Sequence, residues 1–184
     1  MLKPGKIIAK NTINEREYTF RSPHEGDLTP LQSFINNLSQ ERTFLRFQGE
    51  QVTLEEEKQY LDDQLEKISK HRSLVILAVH QGQIVGSTDI KLGEKTERHI
   101  GLFGIAINKE HRNFGLGTFL IGLVLQEAKK ELPGFEIIKL SVHASNQRAL
   151  HLYQKMGFER YGYLAKGVKL EDGYRDAVLM QREA

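Results

Sequence analysis

The chain contains no cysteine, no apolar run long enough to cross a bilayer, and no block of charge of one sign. Without cysteine there are no disulfides, no thiolate metal ligands and no sulfur nucleophile. Residues 1–4, Met1-Leu2-Lys3-Pro4, open no secretory signal pattern. A cytoplasmic protein with no membrane partner is therefore expected. Lys and Arg total 26 against 24 Asp and Glu, a net charge of +2, and the two signs are interleaved along the chain. A pI of about 8.7 then gives no argument for a nucleic-acid partner. The seven histidines are scattered without tight His/Asp/Glu spacing, so no metal site is expected.

What is present suits one core. At 184 residues and 39% hydrophobic content, a single domain over residues 1–184 is expected, with no repeat, linker or low-complexity segment. Residues 6–10 and 17–21 read as strands about a polar turn at 11–14. Thr29, with Pro30 in the first turn and Gln32 in the box position, reads as the N-cap of a helix whose apolar stripe is Leu31, Phe34, Ile35 and Leu38. Residues 42–49 mix arginines with aromatics and read as a loop beside a substrate. Thr53 and Glu56 form a capping box for a second helix with the stripe Leu54, Leu61, Leu65 and Ile68. Its acids Glu55, Glu56, Glu57, Asp62 and Asp63 read as a solvated face. Residues 74–79 and 83–90 form a predicted hairpin turned at Gln81-Gly82, and residues 161–166 and 174–180 a final strand pair.

Residues 100–107 form an apolar, partly β-branched run, as a strand buried on both faces would. After it comes Arg112-x-x-Gly115-x-Gly117, and then a helical stripe of Leu116, Phe119, Leu120, Leu123 and Val124 that Pro133-Gly134 ends. Glycines at a helix start let backbone N–H groups converge on an anion, aided by the helix dipole, and Arg112 supplies positive charge. The stretch lacks the third glycine of a dinucleotide fingerprint and the Gly-Lys-Ser/Thr of a nucleotide P-loop. On its own, tight helix packing explains it as well as phosphate binding does.

A second signal follows about thirty residues on. A strand over 137–142 leads to Asn146, a good N-cap, and a short helix with Ala149, Leu150, Leu152, Tyr153 and Met156, closed by Gly157. Together the two stretches resemble the acetyl-CoA motifs of the GNAT superfamily of N-acetyltransferases: R-x-x-G-x-G, then N-x-x-A-x-x-x-Y-x-x-x-G-F from Asn146 to Phe158. The resemblance implies an α+β fold: a mixed, mostly antiparallel sheet, splayed in the middle, with helices on both faces. It implies that backbone at Ile105, Ala106 and Ile107 pairs with the pantetheine arm of acetyl-CoA. It also implies that N–H groups of Arg112, Asn113, Phe114, Gly115, Leu116, Gly117 and Thr118 hold the pyrophosphate. Asn146 would bond the pantetheine side, and Tyr153 would sit by the thioester sulfur as general acid. On spacing alone Tyr153 reads as a core aromatic.

The implied reaction is direct attack of a primary amine on the thioester in a ternary complex, with a central-strand N–H near residues 105–107 stabilising the oxyanion. For the base, Glu97 and His99 stand at the start of the central strand, where alternation would put both on one face unless a bulge intervenes. Glu97 reads equally as an exposed loop acid beside Lys95 and Arg98. His143 and His151 read as a strand end and an exposed helix position. The C-terminal residues 167–180 resemble GNAT branches acting on ribosomal-protein N-termini, polyamines or small amines, and many relatives dimerise. The alternatives are a non-catalytic acyl-CoA sensor and a nucleic-acid-binding protein using Arg42, Arg46 and Phe47.

Overall fold

The computed structural model describes residues 2–184. Eight strands, β1 (Ile7–Ile13), β2 (Arg16–Arg21), β3 (Ser73–His80), β4 (Gln83–Leu92), β5 (Ile100–Ile107), β6 (Ile137–His143), β7 (Glu159–Leu170) and β8 (Gly173–Glu183), form one sheet in the order β1-β2-β3-β4-β5-β6-β8-β7. Four helices accompany it: α1 (Leu28–Gln40), α2 (Leu54–Ser69), α3 (Leu116–Glu131) and α4 (Gln147–Lys155). Each neighbouring pair is antiparallel except β5 and β6, which run parallel. Among the described residues no helix is long and apolar enough to cross a membrane.

Alternation assigns the faces. A Cβ built on Gly86 of β4 would meet Leu120 of α3, so Thr88, Ile90 and Leu92 share the α3 face. Asp89 and Lys91 point to the other face, which carries α1 and α2. The α3 face is sealed by Leu116, Leu120, Ile121 and Val124 against Leu74, Ile76 and Ala78, all fully buried. Burial of one such Leu or Ile contributes about 1.5–3 kcal/mol. Because Leu116 is the first residue of α3 and wholly buried, the core itself fixes where that helix begins.

Three local expectations are corrected. The β1–β2 turn is Asn14-Glu15 rather than 11–14: both residues take positive φ, 48° and 63°, so a tight turn lets the strands run further. Helix α1 starts at Leu28, before Thr29. The 3-10 turn Glu25–Asp27 precedes it, capped by His24, and Asp27 is held by two 2.6 Å bonds from the Arg21 guanidinium. On α2 the Thr53–Glu56 box forms as expected, yet Leu54 is exposed while Glu57 and Gln64 join Leu61 and Ile68 in the buried stripe. Burial pushes the Glu57 carboxyl above the usual carboxylate range.

Candidate active site

Parallel pairing between β5 and β6 lasts three residues, Ile100–Leu102 against 137–139, although both strands continue. Beyond Leu102 they part, and a cleft of about 580 Å³ opens between them. Its walls come from both faces of the sheet. Gly117, Leu152 and Tyr153 line it on the α3–α4 side, and Phe44, Leu45, Ser141 and His143 on the other. The cleft passes through the sheet.

The edge of β5 facing the gap has free backbone. Gly93 pairs with Ile100 and Asn108 with Val85, and antiparallel alternation then makes Asp89/Gly104 and Ser87/Ala106 hydrogen-bonded pairs. The amides of Gly104 and Ala106 are therefore spent on β4. Ile105 points its N–H and C=O into the gap. The β4–β5 register runs without a shift, so no bulge disturbs this parity.

Just past β5 the chain turns into the start of α3 with its amides uncovered. Asn113 and Gly115 take positive φ, 71° and 94°, and Gly115 is the N-cap of α3. The first four N–H groups of a helix have no acceptor within it, so those from Gly115 to Thr118 are available at the positive end of the α3 dipole. A Cβ on Gly117 would come within 3.3 Å of Leu152 and 3.5 Å of Ile107, so a side chain there fits only if the end of Leu152 gives way. Gly115, Gly117, Thr118, Asn113 and Arg112 line the cleft. Leu116 sends its side chain into the core, and Phe114 stacks under the Arg16 guanidinium at 4.9 Å, so these two can offer only backbone.

Arg112 differs from its expected role. Its Nη2 lies 2.6 Å from Glu41 at the end of α1, its Nε donates to the Ile107 carbonyl at 2.7 Å, and its own N–H is spent on Lys109. A guanidinium compensated in this way braces the loop and brings little net charge to a phosphate. Arg148, an exposed residue in the first turn of α4, lines the cleft and supplies a cation the sequence reading did not single out.

On α4 the Asn146 side chain accepts the Ala149 N–H at 3.1 Å, leaving its Nδ2 donors for the cleft it lines. Tyr153 also lines the cleft and packs edge-on to Phe103, with ring centroids 6.0 Å apart, and against Phe158 at 5.7 Å. Burial pushes its phenol up to about 12, so it keeps its proton through the physiological range and can serve as an acid.

A family model described as the acetyltransferase (GNAT) family matches residues 34–158. The chain belongs to the GNAT acetyltransferase family. It is 30% identical over 140 residues to the ribosomal-protein-bS18-alanine N-acetyltransferase of Escherichia coli K12, covering 76% of this chain and 77% of that one. It is 33% identical over 98 residues to mouse N-acetyltransferase family 8 member 3, matching 52% of this chain and 42% of that longer protein. Among solved structures, a GNAT acetyltransferase from Streptococcus pneumoniae superposes with a TM-score of 0.83 and 31% identity, over 91% of this chain and 99% of that one.

On the α1–α2 face of this GNAT chain the cleft is walled by side chains. The loop after α1 contributes Thr43, Phe44 and Leu45, as expected of residues 42–49. Phe44 packs edge-on to His143 with centroids 5.5 Å apart. Burial, then the charge of Arg175, lowers the pKa of His143, so its imidazole is neutral at pH 7. His143 is the strand end expected of it. It also faces the cleft.

Glu97 and His99 are not among the residues lining the cleft. Glu97 ends an exposed 3-10 turn, Lys95–Glu97, before β5 begins, so strand alternation does not reach it. The His99 carbonyl accepts the N–H groups of Glu136 and Ile137, tying the strands at their closed end. At about 3.3 Å per residue, that end is roughly 16 Å from Gly104.

Proposed function

We propose that this chain transfers an acetyl group from acetyl-CoA to a primary amine by direct attack in a ternary complex. The acceptor is a small amine, a polyamine or a protein N-terminus. The observation that carries this reading is the cleft through the sheet, with an anion cradle on one side and a side-chain-lined pocket on the other. The continuous eight-stranded sheet supports treating residues 1–184 as one domain. A cytoplasmic location and possible homodimers belong to the same reading.

The glycine-lined start of α3 suits a pyrophosphate, because Gly115 and Gly117 leave the amides of residues 115–118 accessible. Arg148 and the Nδ2 of Asn146 would add donors along the arm. The thioester, when bound, supplies an activated acyl carbon. The Ile105 N–H, turned into the gap, would hold the oxyanion that develops on its carbonyl. Tyr153, with its phenol kept protonated by burial, donates to the departing thiolate. No side chain need be acylated.

The test is release of CoA thiol from acetyl-CoA with an alanine-initiated peptide, spermidine or a free amino acid as acceptor, and the absence of cysteine keeps the thiol readout clean. Amine-dependent release with one of the three is expected. No release with any of them, although acetyl-CoA binds, would favour the non-catalytic acyl-CoA sensor instead.

A further inference from the structure

Direct attack needs a group that takes a proton from the incoming ammonium, and none of the residues assigned so far does this. Asp89 lies on the acceptor face of β4, opposite Gly104 of β5. A Cβ at Gly104 would sit 2.6 Å from Asp89 Oδ1 and 3.4 Å from its Cγ, so the carboxylate lies directly against that backbone. Gly104 lines the cleft, and the next residue is Ile105 with its free N–H. Extending the β5–β6 register brings Ser141 level with Gly104 across the gap. Asp89 does not itself line the cleft, but its carboxylate lies against Gly104, which does.

Among the described residues the Asp89 carboxylate has no hydrogen-bond or ion-pair partner, in contrast to Glu41, Glu171 and Asp176. Glu41 is paired with Arg112, Glu171 with Arg42, and Asp176 with Tyr163 and the Lys166 N–H. Lys91, on the same face of β4, reaches Asp63 at 4.0 Å. The charged and titratable groups facing Asp89 are Lys91 on its own strand, Arg46 on the loop after α1, and Tyr60 on α2, with Glu57 and Asp63 beyond it. Desolvation of its hydroxyl end, then the charges of Asp89, Glu57 and Asp63, hold the Tyr60 phenol protonated. Burial raises Asp89 to about 6, opposed by Lys91 and Arg46. A carboxylate poised there accepts a proton near neutral pH.

We propose that Asp89 binds the acceptor's ammonium and removes its proton before attack, a role that rests on the acetyl-transfer reading above. The ammonium gives one proton to the Asp89 carboxylate and becomes a neutral amine. Its nitrogen lone pair forms the N–C bond, the C–S bond breaks, and the thiolate takes a proton from Tyr153. The second nitrogen proton passes to water as the amide forms, and water returns a proton to Tyr153. One proton ends on sulfur, and one is released to solvent through Asp89.

The experiment compares wild type, Asp89→Asn, Asp89→Glu and His143→Gln. For each, kcat/KM is measured from pH 5 to 9 with the best of the alanine-initiated peptide, spermidine and free amino acid, and acetyl-CoA affinity by calorimetry. Wild-type kcat/KM should fall below about pH 6. Asp89→Asn should lose about 100-fold and this acid limb, keep acetyl-CoA affinity within about twofold, and be partly rescued by Asp89→Glu; His143→Gln should keep the limb. An Asp89→Asn enzyme with wild-type kcat/KM and an intact limb would overturn the proposal while leaving acetyl transfer standing. A limb that disappears in His143→Gln instead would hand the role to His143. Wild type that turns over none of the three amines would remove the acetyl-transfer reading and this proposal with it.

Discussion

On the α3–α4 side of the cleft the groups that would meet a ligand are main chain: free amides at the start of α3, the Ile105 N–H, and glycines that keep side chains away. On the α1–α2 side they are the side chains of Phe44, Leu45, Ser141 and His143, drawn from a loop and a strand. Backbone donors depend on the fold and on a few glycines, so they can serve one constant ligand through wide sequence change. A wall of side chains can be rebuilt residue by residue for a new acceptor without disturbing the first.

The comparison breaks most sharply at Gly117. Gly117→Glu brings a side chain into the 3.3 Å space against Leu152 and a carboxylate to the anion cradle. Calorimetry should show acetyl-CoA affinity reduced by more than about 100-fold, the like-charge cost being several kcal/mol; unchanged affinity would place the cradle elsewhere. Next is Tyr153→Phe, which removes the proton donor and keeps the packing on Phe103 and Phe158. Its kcat should drop by about 100-fold with acetyl-CoA affinity within twofold. Because the phenol titrates only near 12, no alkaline fall in wild-type kcat should trace to this residue below about pH 11.

Smaller effects sharpen the contrast from the acceptor wall. Phe44→Ala removes the edge-on contact to His143. An aromatic pair is worth about 0.5–1.5 kcal/mol, so the KM for the amine should rise roughly 2- to 13-fold while acetyl-CoA affinity stays put. An equal loss of acetyl-CoA affinity would mean that the two walls are not independent. The Glu41–Arg112 pair is where they meet, joining the end of α1 to the cradle loop at 2.6 Å. Glu41→Gln should disturb both ligands by a few fold at most and lower Tm by about 2–4 °C, the shift expected for roughly 1 kcal/mol in a chain of this size.

The same contrast explains how far the site could be read from residue order. The cradle and α4 are local: Arg112, Gly115 and Gly117 lie within one turn and helix start, and Asn146 and Tyr153 on one helix, so spacing carries them. The α2 capping box and the Gln81-Gly82 turn are local in the same sense. The acceptor wall is not. Asp89 alternates with Thr88 and Ile90 as an ordinary outward polar residue would, and only the β4–β5 register puts it against Gly104. Arg112 meets its partner Glu41 from a distant helix, and Glu57 is buried only because α2 rotates it under the sheet. Glu97 and His99 were drawn to the site by strand position, but β5 opens at its other end.

The most direct measurement is thiol release on mixing the enzyme with acetyl-CoA alone and then with the amine it turns over, followed by initial rates with both concentrations varied. No thiol before the amine and intersecting reciprocal plots are expected of a cleft where both ligands meet through the sheet. One equivalent of thiol released without amine, with parallel plots, would mean an acyl-enzyme and would contradict direct transfer.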